Sequence, residues 1–441
     1  MAVLERNEQF VQLFDMLENT NKHVFITGKA GTGKSTFLQL FREDTRKQIV
    51  VLAPTGVAAV NIKGETIHSF FKFKPDVTVE KARDIARKST TAVYKGVDLI
   101  VIDEISMVRA DLLDCIDEFL KVARKSFLPF GGVQMVFIGD LFQLPPVVSR
   151  QDRETLGKLY GSPFFFSASV MREFPIEIVE LQKVYRQSQL DFVELLNRVR
   201  ENSVTWDDIK LLNTRYVKDL QFPEEDFFVY LTSTNDLAAE INNERMKSLR
   251  ETEIIFKGRM QKEFERSALP ADEVLVLKLG AQVMMVNNDQ QGRWINGTIG
   301  KVTKIEQDKD GDYVEVTFQD GRVVEIGPHT WDMYQFTFNE QKGRLESEIV
   351  GSYSQYPLKL AWAITIHKSQ GKTFEKVVID FGRGAFAPGQ VYVALSRCAS
   401  FEGITLRSPL QRRDIWTDKM IQSFFSGEYK EARDGDQLVF G

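Results

Sequence analysis

Cysteine is nearly absent from this chain of 441 residues: Cys115 and Cys398 are the only two, and they stand far apart. That excludes a disulfide framework and a thiolate zinc cluster. Histidine is almost as scarce, and His23, His68, His329 and His367 lack metal-ligand spacing. No run of about 18 apolar residues occurs, and the opening Met1-Ala2-Val3-Leu4-Glu5-Arg6 lacks the apolar stretch of a signal peptide. The expectation is a soluble protein of a reducing, cytoplasmic setting with no membrane partner. An excess of positive charge is missing as well. The 57 Lys and Arg against 62 Asp and Glu leave a net charge of -5, which argues against one large basic face but leaves cations for a local channel.

What remains is an ordinary globular composition, 43% hydrophobic and 27% charged. The length suits about three domains. From His23 to Asp140 one pattern repeats: a short apolar strand, a turn rich in Gly, Pro or Ser, then a helical stretch. The strands are His23-Val24-Phe25-Ile26-Thr27, Ile49-Val50-Val51-Leu52-Ala53, Leu99-Ile100-Val101-Ile102-Asp103 and Gln134-Met135-Val136-Phe137-Ile138. Continuously apolar strands of this kind belong to a parallel sheet buried on both faces. A second α/β set follows in Phe228-Val229-Tyr230-Leu231-Thr232, Leu360-Ala361-Trp362-Ala363-Ile364-Thr365 and Lys376-Val377-Val378-Ile379-Asp380. It is interrupted by short alternating strands, with Val314, Val316 and Phe318 in phase and hairpin signals at Asp310-Gly311 and Asp320-Gly321, which read as a small β-barrel. A basic, weakly apolar stretch from Lys72 to Lys95 lengthens the connection inside the first lobe and reads as a small accessory element. The expected boundaries are 1–63 and 97–181 for lobe one, 64–96 for its insertion, 182–263 and 354–441 for lobe two, and 264–353 for the barrel.

Gly28-Lys29-Ala30-Gly31-Thr32-Gly33-Lys34-Ser35 follows a strand and opens a helix, with the two glycines, lysine and serine of a phosphate loop. Its amides and the helix N-terminus can cradle phosphates, with Lys34 on the β and γ groups and Ser35 on Mg²⁺. Gly28, Gly31, Thr32, Gly33 and Thr36 complete the expected nucleotide contacts. Asp103-Glu104 ends an apolar strand, where the crevice of an open parallel sheet lies. Asp103 would orient Mg²⁺ through its water shell, and Glu104 would activate the attacking water. Two acidic residues at a strand end are often only a helix cap, but beside a phosphate loop that becomes the minor reading. Gly139-Asp140-Leu141-Phe142-Gln143-Leu144-Pro145-Pro146-Val147 follows another strand end and places Gln143 where it could sense a γ-phosphate; a proline-stiffened loop with an exposed Gln is the plainer alternative.

These motifs, with Val101-Ile102-Asp103-Glu104-Ile105-Ser106-Met107, Val184-Tyr185-Arg186-Gln187 and Val393-Ala394-Leu395-Ser396-Arg397, resemble the ordered motifs of superfamily 1B helicases. Asp111-Leu112-Leu113-Asp114 through Pro129-Phe130-Gly131-Gly132-Val133-Gln134 resembles the signature of the Pif (petite integration frequency) DNA helicases, and the likeness covers nearly the whole chain. The resemblance implies two RecA-like P-loop lobes with ATP and Mg²⁺ between them, a small wedge insertion in lobe one and a barrel insertion in lobe two. It implies 5′ to 3′ movement on single-stranded DNA and opening of duplex or fork junctions, by a motor expected to be monomeric. It makes Gln9 a candidate adenine reader, adds Gly371 to the nucleotide contacts, and casts Arg186 and Arg397 as charge-stabilising arginines from lobe two.

Strand contacts are expected at Pro54 and Thr55, at Thr66, His68 and Phe70, and in lobe two at Thr365, His367 and Lys368. These segments mix hydrogen-bonding groups with aromatics, which suits backbone contacts and base stacking. Asn296 in the barrel resembles a further family contact. His68, Phe70 and Phe71 could instead be core packing. Two other readings of the chain stay open: a small-molecule kinase built on the same phosphate loop, and a nucleotide-controlled strand clamp that does not move. RNA is an alternative track.

Overall fold

The protein is described by a computed structural model covering residues 7–426, apart from 147, 149, 173, 184–188, 219–226, 263, 290, 307–312, 340 and 383. Lobe one is built on six parallel strands, β1 (His23–Gly28), β2 (Ile49–Ala53), β3 (Glu65–Thr66), β4 (Leu99–Ile102), β5 (Gln134–Ile138) and β6 (Ile176–Leu181). Their order is β3-β2-β4-β5-β1-β6. Alternate residues feed two separate cores. Phe25, Leu52, Ile100, Ile102 and Phe137 face one with Ile116, Phe119 and Leu120 of the helix Ala110–Arg124. Val24, Ile26, Val51, Val101, Val136 and Ile138 face the other with helices Glu8–Asn19 and Lys34–Asp44. This period of two is why the strands read as uniformly apolar.

The expected insertion is helical, with helices Ile67–Phe70, Val79–Lys88 and Ala92–Gly96, and its Phe71, Phe73, Ala82, Ala86 and Tyr94 join the first of those cores. The signature-like stretch is a lock within the same lobe. Asp117 accepts the amide of Phe130 at 2.6 Å, Arg124 donates to the carbonyl of Gly131 at 2.9 Å, and Phe130 takes a left-handed φ of 51°.

Further along come β7 (Val229–Thr232), β8 (Ile254–Lys257), β9 (Arg259–Lys262), β10 (Val274–Leu277), β11 (Gln282–Met285), β12 (Ile299–Glu306) and β13 (Tyr313–Phe318). They are followed by β14 (Val323–Ile326), β15 (His329–Asn339), β16 (Arg344–Gln355), β17 (Leu358–Leu360), β18 (Ala363–Thr365), β19 (Val377–Asp380) and β20 (Ile404–Leu406). The sheet of lobe two is parallel, β18-β7-β19-β20. The insert is antiparallel, with β14-β13-β12-β11-β17 as its main sheet, and Val314, Val316 and Phe318 point inward as their phase predicts. Of the two hairpin signals, Asp320-Gly321 turns β13 into β14, while Asp310-Gly311 lies outside the described residues.

Two departures from the expected boundaries follow from packing. Strands β8, β9 and β17 pair with strands of the insert, so its sheets draw on residues from 254 to 360. The chain also divides into two compact units, and the unit of lobe one includes 333–350 and 417–426 besides the N-terminal residues. Glu65 accepts the amide of Phe336 at 3.1 Å and Gln48 that of Leu345 at 2.8 Å. Phe424 stacks on Phe166 with ring centres 4.4 Å apart, and Phe425 on Phe142 at 5.3 Å. The apolar face of helix Lys419–Ser426 is therefore covered by lobe one.

Candidate functional site

The C-terminal ends of the lobe-one strands carry, in sheet order, Thr66 after β3, Pro54-Thr55 after β2, Asp103-Glu104 after β4, Gly139 to Gln143 after β5 and the phosphate loop after β1. One sheet edge thus holds the nucleotide candidates on β4, β5 and β1, and the strand candidates on the adjoining β2 and β3. That is where an open parallel sheet presents a crevice.

The phosphate loop depends on glycine geometry. Gly31 and Gly33 have φ of 82° and 86°, and Gly33 is the N-cap of helix Lys34–Asp44. A Cβ at Gly28 would lie 2.8 Å from both the Leu181 carbonyl and Thr32 Oγ1. The Lys34 ammonium donates to the carbonyls of Gly28 at 2.6 Å and Lys29 at 3.1 Å, so it sits over the loop. Ser35 is exposed on the first turn and Thr36 half-buried behind it.

Asp103 is buried at the end of β4, and its carboxyl is held well above the usual carboxylate range, first by burial and then by the neighbouring Glu104 carboxylate, with Lys34 pulling the other way. A buried carboxyl held up in this way beside a second carboxylate fits a cation. No cluster of three or more His, Cys, Asp or Glu suited to a metal occurs among the described residues, so phosphate and water would have to complete a Mg²⁺ shell, as is usual for this ion. Glu104 has a left-handed φ of 50°, a conformation that costs a residue with a Cβ about 1–2 kcal/mol and re-aims its side chain at the strand end. Thr27 Oγ1, just before the phosphate loop, and Ser106 Oγ, two residues after Glu104, are buried with no hydrogen-bond partner among the described residues. Gln143 is braced by Asp140, donating from Nε2 to a carboxylate oxygen at 3.2 Å.

The structure revises two candidates in this lobe. Phe70 is only 4% exposed and packs edge-on to Phe71 and Tyr94, so it is core and not a base-stacking platform. Gln9 has both amide atoms engaged by β6, donating to the carbonyl of Glu180 at 2.7 Å and accepting from the amide of Gln182 at 3.2 Å. Thr55 and Thr66 cap helices Gly56–Asn61 and Ile67–Phe70, and their positions coincide because Ala53 and Thr66 are register partners. Thr55 is exposed and Pro54 and His68 are half-buried.

In lobe two, Thr365 is buried and its Oγ1 accepts the amide of Lys368 at 3.2 Å, shaping the turn that presents His367 and an exposed Lys368. Burial lowers the pKa of His367, and burial followed by Lys359 lowers that of Lys368. Gly371 takes a φ of 76° in the same turn. Asn296 of the insert is brought against this loop through a residue the sequence reading passed over: Lys372 Nζ donates to Asn296 Oδ1 at 2.6 Å. Its only sequence signal is its place directly after Gly371.

Arg397 is 1% exposed. Its guanidinium is turned into lobe two, donating to the carbonyls of Val393 at 3.0 Å, Ser369 at 3.3 Å and Lys372 at 3.4 Å, and to Ser396 Oγ at 2.9 Å. Arg397, expected as a charge-stabilising arginine of lobe two, here braces the loop carrying His367 and Lys368. Arg186 lies outside the described residues.

Comparison with known proteins agrees with this arrangement. The PIF1-like helicase family matches residues 5–220, and the 2B domain of DNA helicase Pif1 matches residues 265–305. The ATP-dependent DNA helicase Pif1 of Bdellovibrio bacteriovorus is 33% identical over 96% of this chain and 92% of its own length. The crystal structure of a Bacteroides sp. Pif1 in complex with ADP-AlF4 superposes with a TM-score of 0.88 at 36% identity, covering 97% of this chain and 98% of that one. A Bacteroides Pif1 bound to single-stranded DNA matches with a TM-score of 0.65 at 36% identity over 97% and 98% of the two chains. With this likeness in sequence and structure over nearly its whole length, the chain belongs to the Pif1-like helicases.

Proposed function

We propose that this protein is an ATP-dependent DNA helicase that moves 5′ to 3′ on a single strand and opens the duplex ahead. The observation that carries the reading is the division of one sheet edge between the phosphate loop, the acidic pair and Gln143 at the ends of β1, β4 and β5 and the threonines Thr55 and Thr66 at the ends of β2 and β3. The acidic pair on β4 is thereby one strand away from Thr55 and two from Thr66. A small-molecule kinase would have no use for the second half of that edge, nor for the Asn296–Lys372 contact in lobe two.

In this reading Lys34 neutralises phosphate charge, and the Ser35 hydroxyl with Asp103 would hold Mg²⁺. Bound nucleotide and metal supply the transferable phosphoryl group and a Lewis acid. Glu104 takes the proton of the attacking water, and Gln143, kept in place by Asp140, orients it. Arg186 and Arg397 are assigned to the developing charge, and Arg397 has to leave its carbonyls to serve there. Pro54, Thr55, Thr66, His68, Asn296, Thr365, His367 and Lys368 are assigned to the strand.

Among the described residues no helix is long and apolar enough to cross a membrane. The buried free thiols Cys115 and Cys398 support a reducing, cytoplasmic setting, and a single chain is taken as the working motor.

Unwinding of duplexes bearing one 5′ or one 3′ single-stranded tail, with ATP and Mg²⁺, tests the proposal. Unwinding of the 5′-tailed duplex alone is expected. Opening of only the 3′-tailed duplex reverses the direction, and DNA-stimulated ATP turnover without strand displacement would identify a clamp. Faster opening on an RNA tail would reassign the track.

A further inference from the structure

Lys372 is a cation without an anion. It is half-buried, and among the described residues no carboxylate pairs with it; its ammonium meets the neutral Asn296 Oδ1 at 2.6 Å. The charge that acts on it is of its own sign: Lys359, whose ammonium is answered by Asp272 at 3.0 Å. Burial, and then Lys359, push the Lys372 pKa down to about 8. On the same turn Gln370 Nε2 is a buried donor with no acceptor among the described residues. A half-buried ammonium and an unanswered amide on one short turn form a donor set that lacks its acceptor.

The seat is built. Asn296 is fixed by its own amide, which donates to Asn288 Oδ1 at 2.8 Å, and Thr298 Oγ1 accepts the amide of Ile295 at 3.1 Å. Gly297, with φ of 101°, lets this loop approach until a Cβ there would stand 3.3 Å from Lys372 Cβ. The Lys372 amide donates to the Ser369 carbonyl at 3.0 Å, and its own carbonyl accepts from Arg397. Next to Asn296, Ile295 is 66% exposed, an apolar surface of use to a sugar or base but not to a free anion.

We infer that Lys372, oriented by Asn296, is a phosphate seat for the bound strand at the junction of the insert and lobe two. This rests on the reading of the track as nucleic acid. A strand phosphate supplies the missing acceptor, and the insert governs the grip because Asn296 sets the direction of the ammonium.

The test is the dependence of single-strand affinity on salt, measured by anisotropy of a labelled oligothymidylate over a sodium chloride series. Each phosphate neutralised on a single strand contributes about 0.7 to the slope of log K against log salt. Lys372→Met and Lys372→Gln, shown folded by circular dichroism, should each flatten the slope by about 0.7, while Lys372→Arg should keep it. Asn296→Ala should weaken binding without changing the slope, since the charge remains. An unchanged slope in the folded neutral variants overturns the seat, including the case in which they lose only competition by inorganic phosphate. Wild-type affinity that ignores salt would instead defeat the nucleic-acid reading itself.

Discussion

Arg397→Ala removes a guanidinium that braces three carbonyls and a hydroxyl inside lobe two. The contacts to Val393 at 3.0 Å and Ser396 at 2.9 Å are well formed, and those to Ser369 at 3.3 Å and Lys372 at 3.4 Å are long. Charge-assisted hydrogen bonds contribute about 1.5–3 kcal/mol each, so the two short ones together account for about 3–6 kcal/mol. A typical domain holds about 5–15 kcal/mol in all, so the variant should fold with its lobe-two transition lowered by on the order of 10 °C. Arg397→Lys keeps the charge but cannot span the same acceptors, so it should recover only part of that loss. Thermal melts read the bracing role, and DNA-stimulated ATP turnover at a temperature where both variants are folded reads the phosphate role. Both variants should bind ATP and lose turnover by about 10³-fold or more. An unshifted melt would refute the bracing argument. A lowered melt with normal turnover would refute the arginine's part in hydrolysis and leave it as scaffold.

Glu104→Gln should bind nucleotide in a fluorescence titration yet lose about 10²- to 10⁴-fold in turnover; loss of nucleotide binding would make the residue structural. His23 is pushed down to about 4 by burial, and its Nδ1 accepts the amide of Met135 at 3.0 Å, so the folded state holds it neutral. Because the unfolded chain takes up that proton near pH 6.5 and the folded one does not, stability is complete above that pH and falls as pH drops toward about 4. His23→Gln should flatten this window in urea titrations, and an unchanged pH slope would show that another group sets it. Replacing 254–360 by a Gly/Ser linker should keep the lobe-two sheet, since β7 and β18 pair directly, but should lower the stability of lobe one, whose unit loses 333–350 with the Phe336 and Leu345 contacts; an unchanged lobe-one transition in chemical denaturation would count against the place of 333–350 in that unit. Phe424→Ala, which opens a half-buried stack on Phe166, should destabilise lobe one by about 2 kcal/mol in chemical denaturation, and a loss confined to lobe two would show that helix Lys419–Ser426 was misplaced.

The sequence by itself determined whatever is local and periodic. Apolar runs that alternate between two cores, a phosphate loop whose glycines need positive φ, and Val314, Val316 and Phe318 in phase were all legible, because strand period and backbone sterics act over a few residues. Tertiary structure decided what depends on partners distant along the chain. Phe70 reads as aromatic and available, and only packing against Tyr94 and Phe336 makes it core. Arg397 reads as a charge-stabilising arginine, and only the approach of the Ser369 and Lys372 carbonyls shows what it braces within lobe two. Helix Lys419–Ser426 follows the last strand of lobe two in the chain, yet its phenylalanines find their apolar surface on lobe one. Lys372 gains its meaning from Asn296, 76 positions away, because a charge acquires a role from what stands within a few ångströms of it and sequence order does not record that distance.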